Sequence, residues 1–157
     1  MARSSLIIIS GNPKGVFTTG ILNDTSVPGT LCKVTAATAM VGGLFTYAAY
    51  TGTDGMKAVI YILLNNNKYG QSSTAAGVAG EIREFYTPAP GEDVNILVGE
   101  TAGTGNTYAI GDRLILEGTS PAGTVFLETG SPQDTPFICM EAFTQQASSR
   151  LTWCRKT

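Results

Sequence analysis

The stretch GDRLILEGTSPAGTVFLETG, residues 111–130, reads as two short strands joined by a turn. Leu114 and Leu116 fall on one face and Arg113, Ile115 and Glu117 on the other; further on, Val125 and Leu127 stand opposite Thr124, Phe126 and Glu128. Alternation with a period of two marks a strand with one face buried. Between the strands Pro121 presets a turn φ, and Gly118 and Gly123 can take the positive φ values that side chains resist. The hairpin supplies shape and a loop, and nothing in it resembles a nucleophile held by a base.

Outward from the hairpin, the strongest strand signal is KAVIYILL at 57–64. Its β-branched and aromatic residues run without a polar break, so a strand buried on both faces is expected. EIREFY at 81–86 alternates, with Ile82, Glu84 and Tyr86 opposite Glu81, Arg83 and Phe85. VNILV follows the turn PAPGED, and FICMEAF at 137–143 is the last clear strand before a polar tail ending in LTWCRKT. Between Leu31 and Tyr50 the reading is strand, loop, strand, with a short helix at AATAM as the alternative. NNNKYGQSSTAAG at 65–77 is a polar loop that is long for a compact domain. Short strands punctuated by Gly and Pro turns, with little helical periodicity, predict an all-β chain, a small β-barrel or β-sandwich.

Residues 1–30 have a different texture. GNPKG, Gly20 and NDTSVPG interrupt the short apolar patches LIII and VF. The expectation is an extended N-terminal arm over 1–30, with pairing as one or two edge strands as the alternative, and a single β-barrel domain over 31–157. Such an arm packs on a neighbouring chain, and its removal leaves the barrel folded.

The 157 residues include 10 Lys+Arg, 12 Asp+Glu and no histidine, and only 14% are charged, against about 25% in an ordinary soluble domain. The basic residues are scattered, so no nucleic-acid partner is expected. LIII and AVIYILL are too short for a signal or a membrane span, so no membrane partner is expected either. The lack of histidine removes the commonest general base and the Ser/His/Asp and Cys/His arrangements. Cys32, Cys139 and Cys154 are widely spaced, fit neither a zinc site nor a disulfide framework, and are read as thiols in a reducing cytoplasm.

The other candidates for chemistry each have a plainer reading. GTGN at 103–106 lacks the lysine of a phosphate loop. Glu92 and Asp93, after Pro90 and Gly91, lack calcium-loop spacing and read as solvated turn acids. Glu141, inside the apolar strand ICMEAF, must reach solvent or an interface, or pair with a basic group such as Arg113. Trp153 either closes the core or anchors a contact. No catalytic residue, cofactor or metal is expected.

The order GEDVNILVG, a glycine loop, YAIGDRLILEG, GTVFLETG and PFICMEAF resembles the barrel of tailed-bacteriophage head decoration proteins, the capsid cement family. Gly111, Asp112, Leu114, Leu116, Gly123, Val125, Glu141 and Ala142 carry the resemblance, and VPGTLCKV, with Pro28 and Gly29, is similar to the family's opening strand. The resemblance covers roughly residues 26–143. It implies a β-barrel protein, commonly a homotrimer, made in the bacterial host cytoplasm. In the virion it binds the major capsid protein on the outer surface of an icosahedral shell and stabilises that shell. The apolar patches of the arm and the long polar loop supply the expected capsid or trimer contacts: Leu6, Ile7, Ile8, Ile9, Val16 and Phe17 in the arm and Asn65, Asn66, Asn67 and Tyr69 in the loop. Three other classes remain open: a tail or head completion protein, a small hydrolase built on carboxylates, and a carbohydrate- or receptor-binding module exposing Tyr47, Tyr50 or Tyr69.

Overall fold

The computed structural model describes residues 7–9, 12–35, 42–51, 59–65, 75–99, 106–116, 123–127, 136–144 and 149–157. The regular structure among them is all strand: β1 (Val16–Leu22), β2 (Leu31–Val34), β3 (Thr46–Ala49), β4 (Tyr61–Leu63), β5 (Ile82–Thr87), β6 (Asp93–Val98), β7 (Thr107–Tyr108), β8 (Arg113–Ile115), β9 (Phe126–Leu127), β10 (Phe137–Cys139), β11 (Phe143–Thr144) and β12 (Arg150–Lys156). The first five close into a barrel in the order β1-β3-β2-β4-β5. The rest form a five-stranded sheet, β6-β12-β10-β8-β9, and a ribbon, β11-β7.

Two cores explain the sequence patterns. Leu22, Cys32, Tyr47, Leu63 and Phe85 fill the barrel interior, and a larger cluster fills the space between the barrel wall and the second sheet. Leu63 of the 57–64 run faces the first cluster, whereas Ile60, Ile62 and Leu64 face the second. A wall strand between two cores has no face left for polar residues, which is why the run is unbroken. Among the described residues of the run the strand itself covers Tyr61–Leu63, and Val59 is exposed. β5 divides in the same way, Phe85 inward and Tyr86 toward the second sheet.

The hairpin forms as read, with β8 and β9 antiparallel and Leu114 opposite Leu127. Of its turn only Gly123 is described; it has φ of 75°, and a Cβ there would stand 2.8 Å from Leu31 O. Beyond the hairpin the second sheet departs from expectation. FICMEAF divides into β10 and β11, and the polar tail is strand β12, paired with β6 along Arg150–Arg155 and with β10 on its other side. The outer edge of β6 is covered by chain segments from elsewhere. Asn95 N donates to Ile7 O (2.7 Å), Leu97 N to Gly29 O (3.1 Å) and Gly99 N to Val125 O (2.9 Å), which leaves no long open edge on that strand.

The expected arm needs the largest correction. β1 lies inside residues 1–30, yet it is a full barrel strand, pairing with β5 from Val16↔Thr87 to Ile21↔Ile82 and running parallel to β3. Gly20, read as punctuation, sits where a Cβ would run into the Tyr47 ring inside the barrel. Ile7 is 1% exposed and belongs to the larger core. Glycine appears in β1 because the interior is crowded, so its presence does not end the strand.

Candidate attachment surface

Period-two geometry sorts β1 into two faces. Thr18, Gly20 and Leu22 turn inward, and Phe17, Thr19 and Ile21 turn outward. Cross-strand pairing extends the outer face onto β5, with Phe17 opposite Tyr86 and Ile21 opposite Ile82. Phe17 is 54% exposed and Ile82 57%. Phe45 is also exposed and lies beside Ile21, whose N–H donates to Phe45 O at 2.9 Å. The result is an outer face fixed to a rigid ladder, with Phe17 at one end, Ile21, Ile82 and Phe45 at the other, and Thr19 opposite Glu84 between them. Phe17 is held in place by the Tyr86 ring, with centroids 4.8 Å apart.

The contacts expected from the sequence are scattered across the fold. Phe17 is exposed on the outer face, Val16 is exposed at the start of β1 on the opposite side of the strand, and Ile9 is exposed nearer the second sheet. Ile7 is buried in the larger core, and Ile8 is half-buried and bridges Val94. Asn65 meets the N-terminal segment, its Oδ1 accepting from Ile7 N at 3.3 Å. Leu6, Asn66, Asn67 and Tyr69 lie outside the described residues. Ile82 and Phe45 were missed. The alternation of EIREFY had put Ile82 on a face with Glu84, and that was the available signal.

Behind this face, Glu92 fastens the N-terminal segment. It is 6% exposed, not a solvated turn acid. Its carboxylate accepts from the Tyr86 hydroxyl (2.6 Å), from Ala89 N (2.7 Å) and, through a very short contact, from Lys14 N. Gly15 N in turn donates to the Tyr86 hydroxyl oxygen at 2.9 Å. Burial pushes the Glu92 carboxyl up, but the hydrogen bonds from Tyr86, Lys14, Ala89 and Gly15 outweigh it and leave the group below its ordinary value. Burial, with Glu92 beside it, lifts Tyr86 to about 12. Asp93 is held down mainly by its two hydrogen bonds from Arg155, at 2.7 and 3.0 Å.

A carboxylate whose folded-state value is depressed stabilises the fold fully above its unfolded value, and that stability is lost as pH falls through the depressed value. Stability to urea should therefore hold from neutrality to the ordinary carboxylate range and fall below it. Glu92→Gln should cost about 2 kcal/mol at neutral pH, because an amide NH2 must face one of the N–H donors. It should also flatten part of the acid fall. Urea midpoints across pH for the wild type and the variant check both points.

The other polar candidates take structural places. Glu141 pairs with a basic group as expected, but the partner is Arg150, at 3.0 Å, and its Oε1 also accepts from Trp153 N at 3.1 Å. Arg113 is instead exposed on β8. Trp153 is 37% exposed and closes no core. The three thiols are free and buried, and burial raises each above its ordinary value. Of GTGN only Asn106 is described. A cleft of about 390 Å³ is lined by Asp24, Ser26, Thr30, Thr124 and Ser149 among others. Two of its hydroxyls are already engaged, Ser26 with Asp24 Oδ1 and Thr30 with Val27 O.

The molecule is an all-β protein in which a small closed barrel is packed on a second sheet. No family model matches the chain, and no curated protein matches its sequence. Its fold is similar to the crystal structure of the head fiber gp8.5 N base of bacteriophage phi29, with a TM-score of 0.53 over 91% of this chain and 94% of that chain. The two sequences are 11% identical, so the likeness is one of fold. It is to a head-fiber base and does not extend to the decoration family specifically.

Proposed function

We propose that the chain is a structural virion protein of a bacteriophage, seated on the outside of the head, where it works by contact and carries out no turnover. The observation that carries this reading is the fold likeness to a phage head-fiber base across nearly the whole of both chains. The sequence resemblance to head decoration proteins agrees with a role on the phage head, and it is the ground for seating the chain on the outer surface. In this reading the partners are the major capsid protein and further copies of the chain, commonly three, and the shell is stabilised by many modest contacts repeated through symmetry. The barrel presents the outer face bearing Phe17, Ile21 and Ile82 as the contact face, since large apolar groups on a rigid ladder lose little freedom when covered.

The carbohydrate-binding alternative is less well supported. Of the tyrosines it would need on a binding face, Tyr47 is 1% and Tyr50 3% exposed, and Tyr69 is outside the described residues.

The test is co-sedimentation of the full chain with heads of its own phage that lack it. Wild-type chain should pellet with the heads at a fixed stoichiometry. The double variant Phe17→Asp, Ile82→Asp should fold normally, since both positions are exposed, and bind at least about tenfold more weakly, the equivalent of roughly 1.4 kcal/mol. Failure of the wild-type chain to pellet would remove the head-surface reading. Equal binding by the variant would remove this face from it.

A further inference from the structure

Cys139 of β10 and Cys154 of β12 stand directly opposite each other in an antiparallel pair. The hydrogen bonds define which kind of pair this is. Met140 N donates to Trp153 O at 2.9 Å and Thr157 N to Pro136 O at 3.1 Å, so bonded positions fall at 140/153 and 136/157. Alternation along the ladder then makes 139/154 a non-hydrogen-bonded position. The Cys139 peptide accordingly faces the other neighbour: its N–H goes to Asp112 O and its carbonyl accepts from Gly111 N, each at 2.8 Å.

At a non-bonded position the Cα atoms are about 4.5 Å apart and the side chains are close. A disulfide spans Cα separations of roughly 4.4–6.8 Å. Both cysteines turn into the same core and both are fully buried, whereas Cys32 lies in the barrel interior.

We infer that Cys139 and Cys154 form a latent disulfide site, reduced in this structure and closed to a cross-strand bridge when the chain folds in the presence of a small-molecule disulfide such as oxidised glutathione. One protein thiolate attacks a glutathione sulfur, forming a mixed disulfide and releasing one glutathione thiolate. The second protein thiolate attacks the protein sulfur of that mixed disulfide, and the second glutathione leaves. Two protein thiols are oxidised, one glutathione disulfide is reduced to two glutathiones, and the two thiol protons end on the leaving groups. In the closed fold, burial keeps both thiols protonated, so reaction requires β12 to open or to be still unpaired. The bridge would tie the last strand of the chain into the sheet. This inference stands on strand geometry and is independent of the phage reading.

The full chain is refolded from urea in a glutathione buffer rich in the oxidised form, so that burial does not limit access. Titratable thiols should fall from three to one, the intact mass should drop by two hydrogens, and a peptide map should join Cys139 to Cys154. The oxidised chain should melt about 5 to 10 °C above the chain refolded with reductant. Cys32→Ser should retain the bridge, and Cys154→Ser should lose it. Three free thiols after oxidative refolding, a bridge involving Cys32, or glutathione left on Cys139 or Cys154 of the wild-type chain would each overturn the inference, and each is read without any variant.

Discussion

Deletion of residues 2–22 is expected to abolish cooperative folding of the chain. The deletion removes all of β1, and with it the six-residue ladder to β5 and the parallel pairing to β3 that together close the barrel. It also removes Leu22 from the barrel interior and Ile7 from the larger core, and leaves β3 and β5 with open edges. Domains of this size are stable by only about 5–15 kcal/mol, and losing a closing strand with two core side chains exceeds that margin. Deletion of residues 2–12 is the informative control. It keeps β1 and the Lys14 and Gly15 amides that meet Glu92 and Tyr86, and loses Ile7. That chain should still melt cooperatively, about 2–5 kcal/mol less stable than the full chain. Thermal melts followed by near-UV circular dichroism separate the cases. A native-like melt of the longer deletion would mean that residues 16–22 are an appendage after all.

Gly20→Val should be the most damaging single substitution in the barrel. A Cβ at residue 20 would stand 2.8 Å from Phe45 O and inside contact distance of the Tyr47 ring. That ring cannot retreat, because it stacks on Phe85 with centroids 4.2 Å apart and meets Tyr61 edge-on at 4.9 Å. Overpacking of this kind costs about 3 kcal/mol, and a β-branched side chain has no rotamer that avoids the ring. The urea midpoint should fall accordingly. A change within about 0.5 kcal/mol, the range of an ordinary surface substitution, would contradict the inward placement of Gly20.

The strands legible in the sequence were those whose alternation reports one dominant core. Leu114 and Leu127 mark the hairpin in this way, and the 57–64 run marks a wall strand between two cores. β12 was missed because its pattern is inverted. Thr152 and Cys154 are buried while Trp153 is exposed, and the charges of Arg155 and Lys156 gave the segment the texture of a tail. β1 is legible as no more than an edge strand of an arm, because Gly20 serves packing against Tyr47, a contact that exists only after β3 has docked.

The site was less legible, for a related reason. The donors that bury Glu92 come from residues 14, 86 and 89, brought together by the fold, so nothing in PAPGED separates it from a solvated acid. Glu141 was legible as a charge in need of a partner, but the choice between Arg113 and Arg150 depended on the existence of β12. Val16 and Phe17 were legible as exposed apolar residues, while Ile82 and Phe45, at the far end of the outer face, came from pairings that local sequence does not encode.

On the proposed function a phage encodes this chain, and a cryo-electron density map of intact particles of that phage is the most direct test. The expected result is density on the outer surface of the head that fits the barrel and its packed second sheet, with the face bearing Phe17, Ile21 and Ile82 covered by the major capsid protein or by another copy of the chain. Particles whose head exterior lacks that density, or that carry it only on the tail, would contradict the proposal.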